Sequence, residues 1–226
     1  MLSTAEKKFS ILFMLIVIVE LVTGNLSSLT YAHYLAKPAI VFSLMILVYN
    51  NSDVLPKDIR NTTLLALLFS VIGDILLMFV TQNALFFTLG LLAFLLAHIM
   101  YIITFLKHRS KPTKAIGFGL ILVIYAVSLF TLLKERLDEM IIPVLLYIIV
   151  ILTMTITAFL RKKQVSNRSY LLVLAGAISF VISDSLLAIN KFYVSIPFSG
   201  IFIMISYALA QYLIVMGILK INVTNT

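Results

Sequence analysis

The chain has 226 residues, of which 62% are hydrophobic and only 12% charged, and its mean hydropathy is +1.13, a balance with which no soluble domain covers its own surface; it reads as a polytopic membrane protein. The formal net charge of +8 comes without a basic stretch interleaved with aromatics, which excludes nucleic acid as an expected partner and leaves orientation in the membrane as the use of the charge. The absence of cysteine excludes disulfides, thiolate catalysis and cysteine metal sites, and three scattered histidines (His33, His98, His108) give no metal centre, so neither metal nor cofactor is expected.

A helix needs roughly 20 residues to cross the hydrocarbon core, within about 17 to 25. Apolar runs of that size fall near residues 9–27, 35–50, 62–80 and 84–106, then near 115–133, 141–160, 170–189 and 197–219. They predict an all-α fold, a bundle of eight transmembrane helices forming one integral membrane domain over 1–226. Lys7-Lys8 before the first run imitates a signal peptide, but no small-x-small cleavage pattern follows, so the run is read as helix 1. The second run is short, and Pro38 is read as a first-turn proline at its start. Polar and charged segments separate the runs, for example Lys107 to Pro112.

Lysine and arginine accumulate on the cytoplasmic side of membrane proteins. Of the 17 basic residues, all but Lys37, Lys134, Arg136 and Lys191 fall on the side of the N-terminus. The expectation is a multi-pass protein of a bacterial cell membrane with both termini and the 107–114 and 161–169 loops in the cytoplasm.

Two of the runs carry a carboxylate where none is cheap. Val71-Ile72-Gly73-Asp74-Ile75-Leu76-Leu77 is repeated 110 positions later by Val181-Ile182-Ser183-Asp184-Ser185-Leu186-Leu187. A charge at the centre of a membrane helix costs about 2.5 kcal/mol or more, so such acids mark a site or a partner. Four helices separate the copies, which therefore run in the same direction, as in parallel transporter-type repeats. Gly90 and Gly200 keep the same offset, which suggests halves at 1–110 and 111–226.

Depth decides which polar residues can meet. At about 1.5 Å of rise per residue, Asp74 and Asp184 share a level about 5 Å toward the extracytoplasmic side. Lys191 lies two turns above Asp184 on the same face, and Lys37 is expected at the same boundary. On the returning helices 4 and 8, His98 and Gln211 fall just below the midpoint, with Tyr101 one turn deeper and Tyr207 one turn above Gln211. Together these residues can line one cavity. Each also has a plainer role. The aspartates can glue helices by accepting from serines such as Ser70 and Ser183, His98 can be a satisfied interior side chain, and Lys37 and Lys191 can snorkel to headgroups. Glu20, near the outer end of helix 1, is open to both readings.

The motifs Ile72-Gly73-Asp74-Ile75-Leu76-Leu77, Gly90-x-x-x-Phe94-x-x-x-His98-x-x-Tyr101, Phe180 to Ala188 with Lys191-Phe192, Tyr207-x-x-x-Gln211 and the pair Lys37-Pro38 resemble, in order and spacing, the YhhN family. That family comprises eight-helix membrane proteins whose characterised members are lysoplasmalogenases. The resemblance implies hydrolysis of the vinyl-ether bond of a lysophospholipid, or of a related ether or enol lipid, to a fatty aldehyde and a glycerophospho-base. Asp74 and Asp184 suit this chemistry as a carboxylate pair, one acid protonating the alkene and the other, ionised, steadying the cation and activating water. His98, Tyr101, Tyr207 and Gln211 are candidate supports, and Lys37 and Lys191 candidate contacts to the headgroup phosphate. A proton-coupled carrier using the two aspartates as its relay is the alternative, and a structural or lipid-sensing membrane protein a third.

Overall fold

The computed structural model describes residues 4–51, 55–110 and 115–221. Their main elements are eight helices: α1 (Thr4–Asn25), α2 (Thr30–Asn50), α3 (Lys57–Met78), α4 (Leu85–Leu106), α5 (Ile116–Leu133), α6 (Ile141–Leu160), α7 (Asn167–Phe192) and α8 (Ser199–Ile218). All eight are long and apolar enough to cross a bilayer. Even α8, with 20 residues, reaches about 30 Å, the thickness of the hydrocarbon core. Among the described residues there is no strand. In hydrocarbon each backbone N–H and C=O must be satisfied internally, which an apolar run of this length achieves as a helix.

The helices follow the apolar runs, with two differences that bear on the site. A short 3-10 turn, Ser27–Leu29, feeds directly into α2, which therefore begins at Thr30. Lys37 and Pro38 consequently sit about two turns inside α2, not at its start. Proline there removes the backbone donor for the Tyr34 carbonyl, a loss that membrane helices absorb through their neighbours. α7 is the longest helix, with 26 residues, and Lys191 lies in its last turn. Lys111, Pro112 and Lys114 of the expected cytoplasmic loop lie outside the described residues.

Packing is closest within the α3–α4 and α7–α8 hairpins, while α4 also lies against α6 and α8 against α1 and α2. Small residues permit these approaches. A Cβ on Gly176 of α7 would lie 2.8 Å from the Ala210 carbonyl oxygen and 2.9 Å from the Ile214 nitrogen of α8. α5 is peripheral: it buries only Leu122, Ala126 and Leu133, while Ile121, Ile124 and Val127 are exposed.

One end of the bundle is tied shut. Lys220 Nζ donates to Glu6 Oε1 at 2.5 Å, so α1 begins and α8 ends on the same side. Ser166 Oγ donates to the Lys220 carbonyl at 2.9 Å and Ser169 Oγ to the Gly217 carbonyl at 2.6 Å. The buried Arg161 donates to Ser169 Oγ at 3.0 Å and lies 5.5 Å over the Phe105 ring. Burial lowers the Arg161 pKa to about 10, which leaves it charged at neutral pH. The opposite, distal end is where the bundle opens.

Candidate active site

Asp74 and Asp184 stand on α3 and α7, each in an aromatic and polar environment supplied by a different returning helix. Asp74 is 2% exposed and accepts a hydrogen bond from Tyr207 of α8 at 2.7 Å. Behind it the chain continues: Gln211 Nε2 lies 3.4 Å from the Tyr207 oxygen, and Gln211 Oε1 accepts from Tyr101 of α4 at 2.7 Å. These three helices therefore hold one directional relay ending on the carboxylate.

Asp184 has its own support. Tyr147 of α6 donates to its Oδ2 at 2.5 Å. His98 Nε2 of α4 lies 2.9 Å from the Tyr147 oxygen and 3.4 Å from Asp184 Oδ2. Since Tyr147 spends its single proton on Asp184, its oxygen is left to accept, which assigns the His98 proton to Nε2. His98 Nδ1 is buried without a partner. The ring of Phe180 stands between the two networks, with its centroid 4.9 Å from that of His98 and 5.6 Å from that of Tyr207.

Neither aspartate is held by serine. Ser70 Oγ donates to the Ala66 carbonyl and Ser183 Oγ to the Ile203 carbonyl, at 2.9 and 3.0 Å. The plainer alternative, in which such serines glue the helices by donating to the carboxylates, does not hold for these two: each serine is satisfied by a backbone carbonyl, and phenols serve the acids instead.

Both carboxylates line one cavity of about 360 Å³, a vestibule that reaches the distal end between the last turns of α1, α3 and α7 and the first turns of α2 and α8. Lys37, Lys191 and Tyr207 line it as well, together with Glu20, His33 and Asn190. Lys191 Nζ rests 5.1 Å over the Phe87 ring. Glu20 is 4% exposed, with His33 Nδ1 3.5 Å away, within ion-pair reach but without hydrogen-bond geometry. Of the residues anticipated from the sequence, Asp74, Asp184, Lys37, Lys191 and Tyr207 thus meet at one cavity. His98, Tyr101 and Gln211 are fully buried behind its wall and reach it through Tyr147, Asp184 and Tyr207.

Tyr147 and the pair Tyr125–Ser185, joined at 2.7 Å, escaped the sequence reading. Their signal was available for Tyr147: it lies six residues into the returning α6, at about the depth of Asp184, as the only side chain in that part of the helix able to donate a hydrogen bond.

A second, narrower cavity of about 60 Å³ adjoins the vestibule between α4, α5, α6 and α7. Its only polar side chains are Asp184, Tyr147, Tyr125 and Ser185, and it shares Leu77, Phe87, Phe94, Asp184 and Leu187 with the vestibule.

The model of the YhhN family matches residues 32–218, an interval that holds both aspartates and every residue of their two hydrogen-bond networks. The chain belongs to the YhhN family. Human lysoplasmalogenase TMEM86A is 27% identical over 184 residues, which cover 80% of this chain and 74% of the human protein. No solved structure matches the chain. As a YhhN protein, the chain keeps its paired acids inside the matched segment, while the α1 residue Glu20 precedes it.

Proposed function

We propose that the chain is a membrane hydrolase that opens the vinyl ether of a lysoplasmalogen, releasing a fatty aldehyde and a glycerophospho-base. Family membership and the human relative support the class of activity. The observation that carries the residue-level reading is one vestibule lined by Asp74 and Asp184, each accepting from a tyrosine, with Lys37 in its wall and Lys191 exposed at its mouth.

In this reading one aspartic acid gives its proton to the alkene carbon remote from oxygen. The pair of electrons of the double bond forms the new C–H bond, and the adjacent carbon becomes an oxocarbenium ion, which the second, ionised aspartate stabilises. That carboxylate takes a proton from water as the water attacks the cationic carbon. The resulting hemiacetal gives its hydroxyl proton to the first aspartate and becomes the aldehyde as its bond to the glycerol oxygen breaks, and that oxygen leaves as a hydroxyl with the proton held by the second aspartic acid, which restores both groups. One water is consumed and the protons balance. Tyr147 and Tyr207 act as positioning residues that fix the carboxyl rotamers, with His98, Gln211 and Tyr101 holding them in turn. Lys37 and Lys191 are placed to meet the phosphate.

The charge asymmetry of the loops supports termini in the cytoplasm and a vestibule mouth at the opposite surface, and in this reading the substrate enters from the extracytoplasmic leaflet. A proton-coupled carrier would use the same acids, but α3 and α7 run unbroken through Asp74 and Asp184, unlike the discontinuous helices of many carriers. The experiment is mass spectrometry of lysoplasmalogen incubated with the detergent-purified protein. Hydrolysis needs no sealed compartment, so the reading expects an aldehyde and a glycerophospho-base whose masses together exceed that of the lipid by one water; unchanged lipid would defeat it.

A further inference from the structure

The vestibule accounts for the acids and the cations but not for the narrow cavity beside it. That cavity runs along α7 from Val181 to Phe192, about 16 Å at 1.5 Å per residue. Apart from the four polar side chains named above, its walls are aliphatic and aromatic, including Leu129, Leu133, Val144 and Leu152. It is too slender and too apolar for a charged headgroup, and it adjoins the vestibule across a shared wall that includes Asp184.

We propose that this slot between α4, α5, α6 and α7 is the binding site for the hydrocarbon chain of the lysolipid, and that its walls set the preference for chain length. The inference rests on the hydrolase reading for the identity of the polar end of the ligand. It is carried by the adjacency of the two cavities, which share Asp184 in their common wall. A lysolipid has one charged end, one unbranched apolar end and a single bond region between them. The protein has one polar vestibule, one apolar slot and a single carboxylate, Asp184, among the five residues common to both. With the headgroup in the vestibule and the chain in the slot, the vinyl ether lies across that seam. The alkene carbon that receives the proton is on the chain side of the ether oxygen, so the same placement makes Asp184 the proton donor and leaves Asp74, which lines the vestibule but not the slot, to the water.

The slot also has an access route from the lipid. α5 covers it with a largely exposed helix, and the one hydrogen bond between polar side chains joining α5 to α7 is Tyr125 to Ser185, the neighbour of Asp184, among the described residues. A chain can enter sideways by displacing a helix held so lightly, and the same displacement widens a slot whose volume of about 60 Å³ takes only a few methylenes as it stands.

Each methylene buried contributes about fourfold to binding. Blocking the slot therefore penalises long chains far more than short ones. Ala188→Phe, one turn from Asp184 on α7, and Ala126→Phe on α5 each add a ring where the wall is now a methyl group. The ratio of kcat/KM for long-chain over short-chain lysoplasmalogen should fall at least tenfold in either variant. A ratio unchanged in both folded variants overturns the proposal.

Binding is read separately, so that loss of the hydrolase reading is distinguishable. A lysophospholipid with a non-cleavable saturated ether and a photoreactive diazirine at the chain end is bound to wild-type protein in nanodiscs and irradiated. Label on Leu129, Leu133 or Val144, removed by excess unlabelled lysophospholipid, supports the slot even if no vinyl ether is ever hydrolysed. Label confined to lipid-facing positions such as Ile121 and Ile124 overturns it. So does equal competition by a two-chain phospholipid, which would mark the slot as a resting place for bilayer tails.

Discussion

At the scale of single residues, the structure separates groups that touch the cavity from groups that act through another. Tyr147 donates to Asp184 beside the fully buried His98, and its hydrogen bond to the carboxylate left when Asp184 gives up its proton is worth about 1.5–3 kcal/mol. Tyr147→Phe should therefore lower kcat by about tenfold to a hundredfold with little change in KM, and it should move one limb of the pH–rate profile, which a purely structural phenylalanine for tyrosine exchange would leave in place. Lys191 is a different case. It is exposed at the vestibule mouth, where an ammonium on a flexible stem contributes chiefly to holding an anion. Lys191→Ala should raise KM more than it lowers kcat; a fall in kcat at constant KM in steady-state assays would remove it from the headgroup contact.

At the scale of the helix, the sequence was informative along the bundle axis and nearly silent around it. Counting residues from the ends of each apolar run placed Asp74, Asp184 and Tyr207 at compatible depths, because rise per residue is fixed. It did not say that α6 faces α4 and α7, so Tyr147 went unread, and His98 was expected at the cavity when it sits behind it. The cause is physical. In a membrane bundle the lipid-facing and core-facing sides are both apolar, so the periodicity that orients a soluble amphipathic helix is missing. α2 shows a second limit: proline at a helix start and proline inside a membrane helix look alike in sequence, and only the turn at Ser27–Leu29 makes Pro38 internal. Helix contacts do yield an expectation once seen. Gly176→Ala places a methyl group against the α8 backbone at Ala210 and Ile214, where no rotamer change relieves it, so α7 and α8 must part. A loss of about 1–3 kcal/mol is expected, visible as a lower melting temperature in detergent, together with reduced turnover because Tyr207 rides on α8.

At the scale of the whole molecule, the site is assembled from helices far apart in the sequence. Asp74 of α3 is served from α8, and Asp184 of α7 is served in part from α4. The 110-residue offset that relates the two aspartates also relates Tyr101 to Gln211, which bond to each other at 2.7 Å. With one end of the bundle tied by Glu6, Lys220, Ser166 and Arg161 and the other opening into the vestibule, orientation decides which leaflet the vestibule faces. The loop charges predict cytoplasmic termini; a reporter active only outside the cytoplasm, fused after Lys163, should stay silent, and its activity would invert the account. The claim on which the rest depends is that both carboxylates carry the chemistry, since asparagine keeps the shape of aspartate but can neither deliver nor take up the proton. The direct measurement is aldehyde release from lysoplasmalogen by purified Asp74→Asn and Asp184→Asn proteins whose melting temperatures match the wild type. The account predicts that each substitution abolishes release, and near-normal release by either one would contradict it.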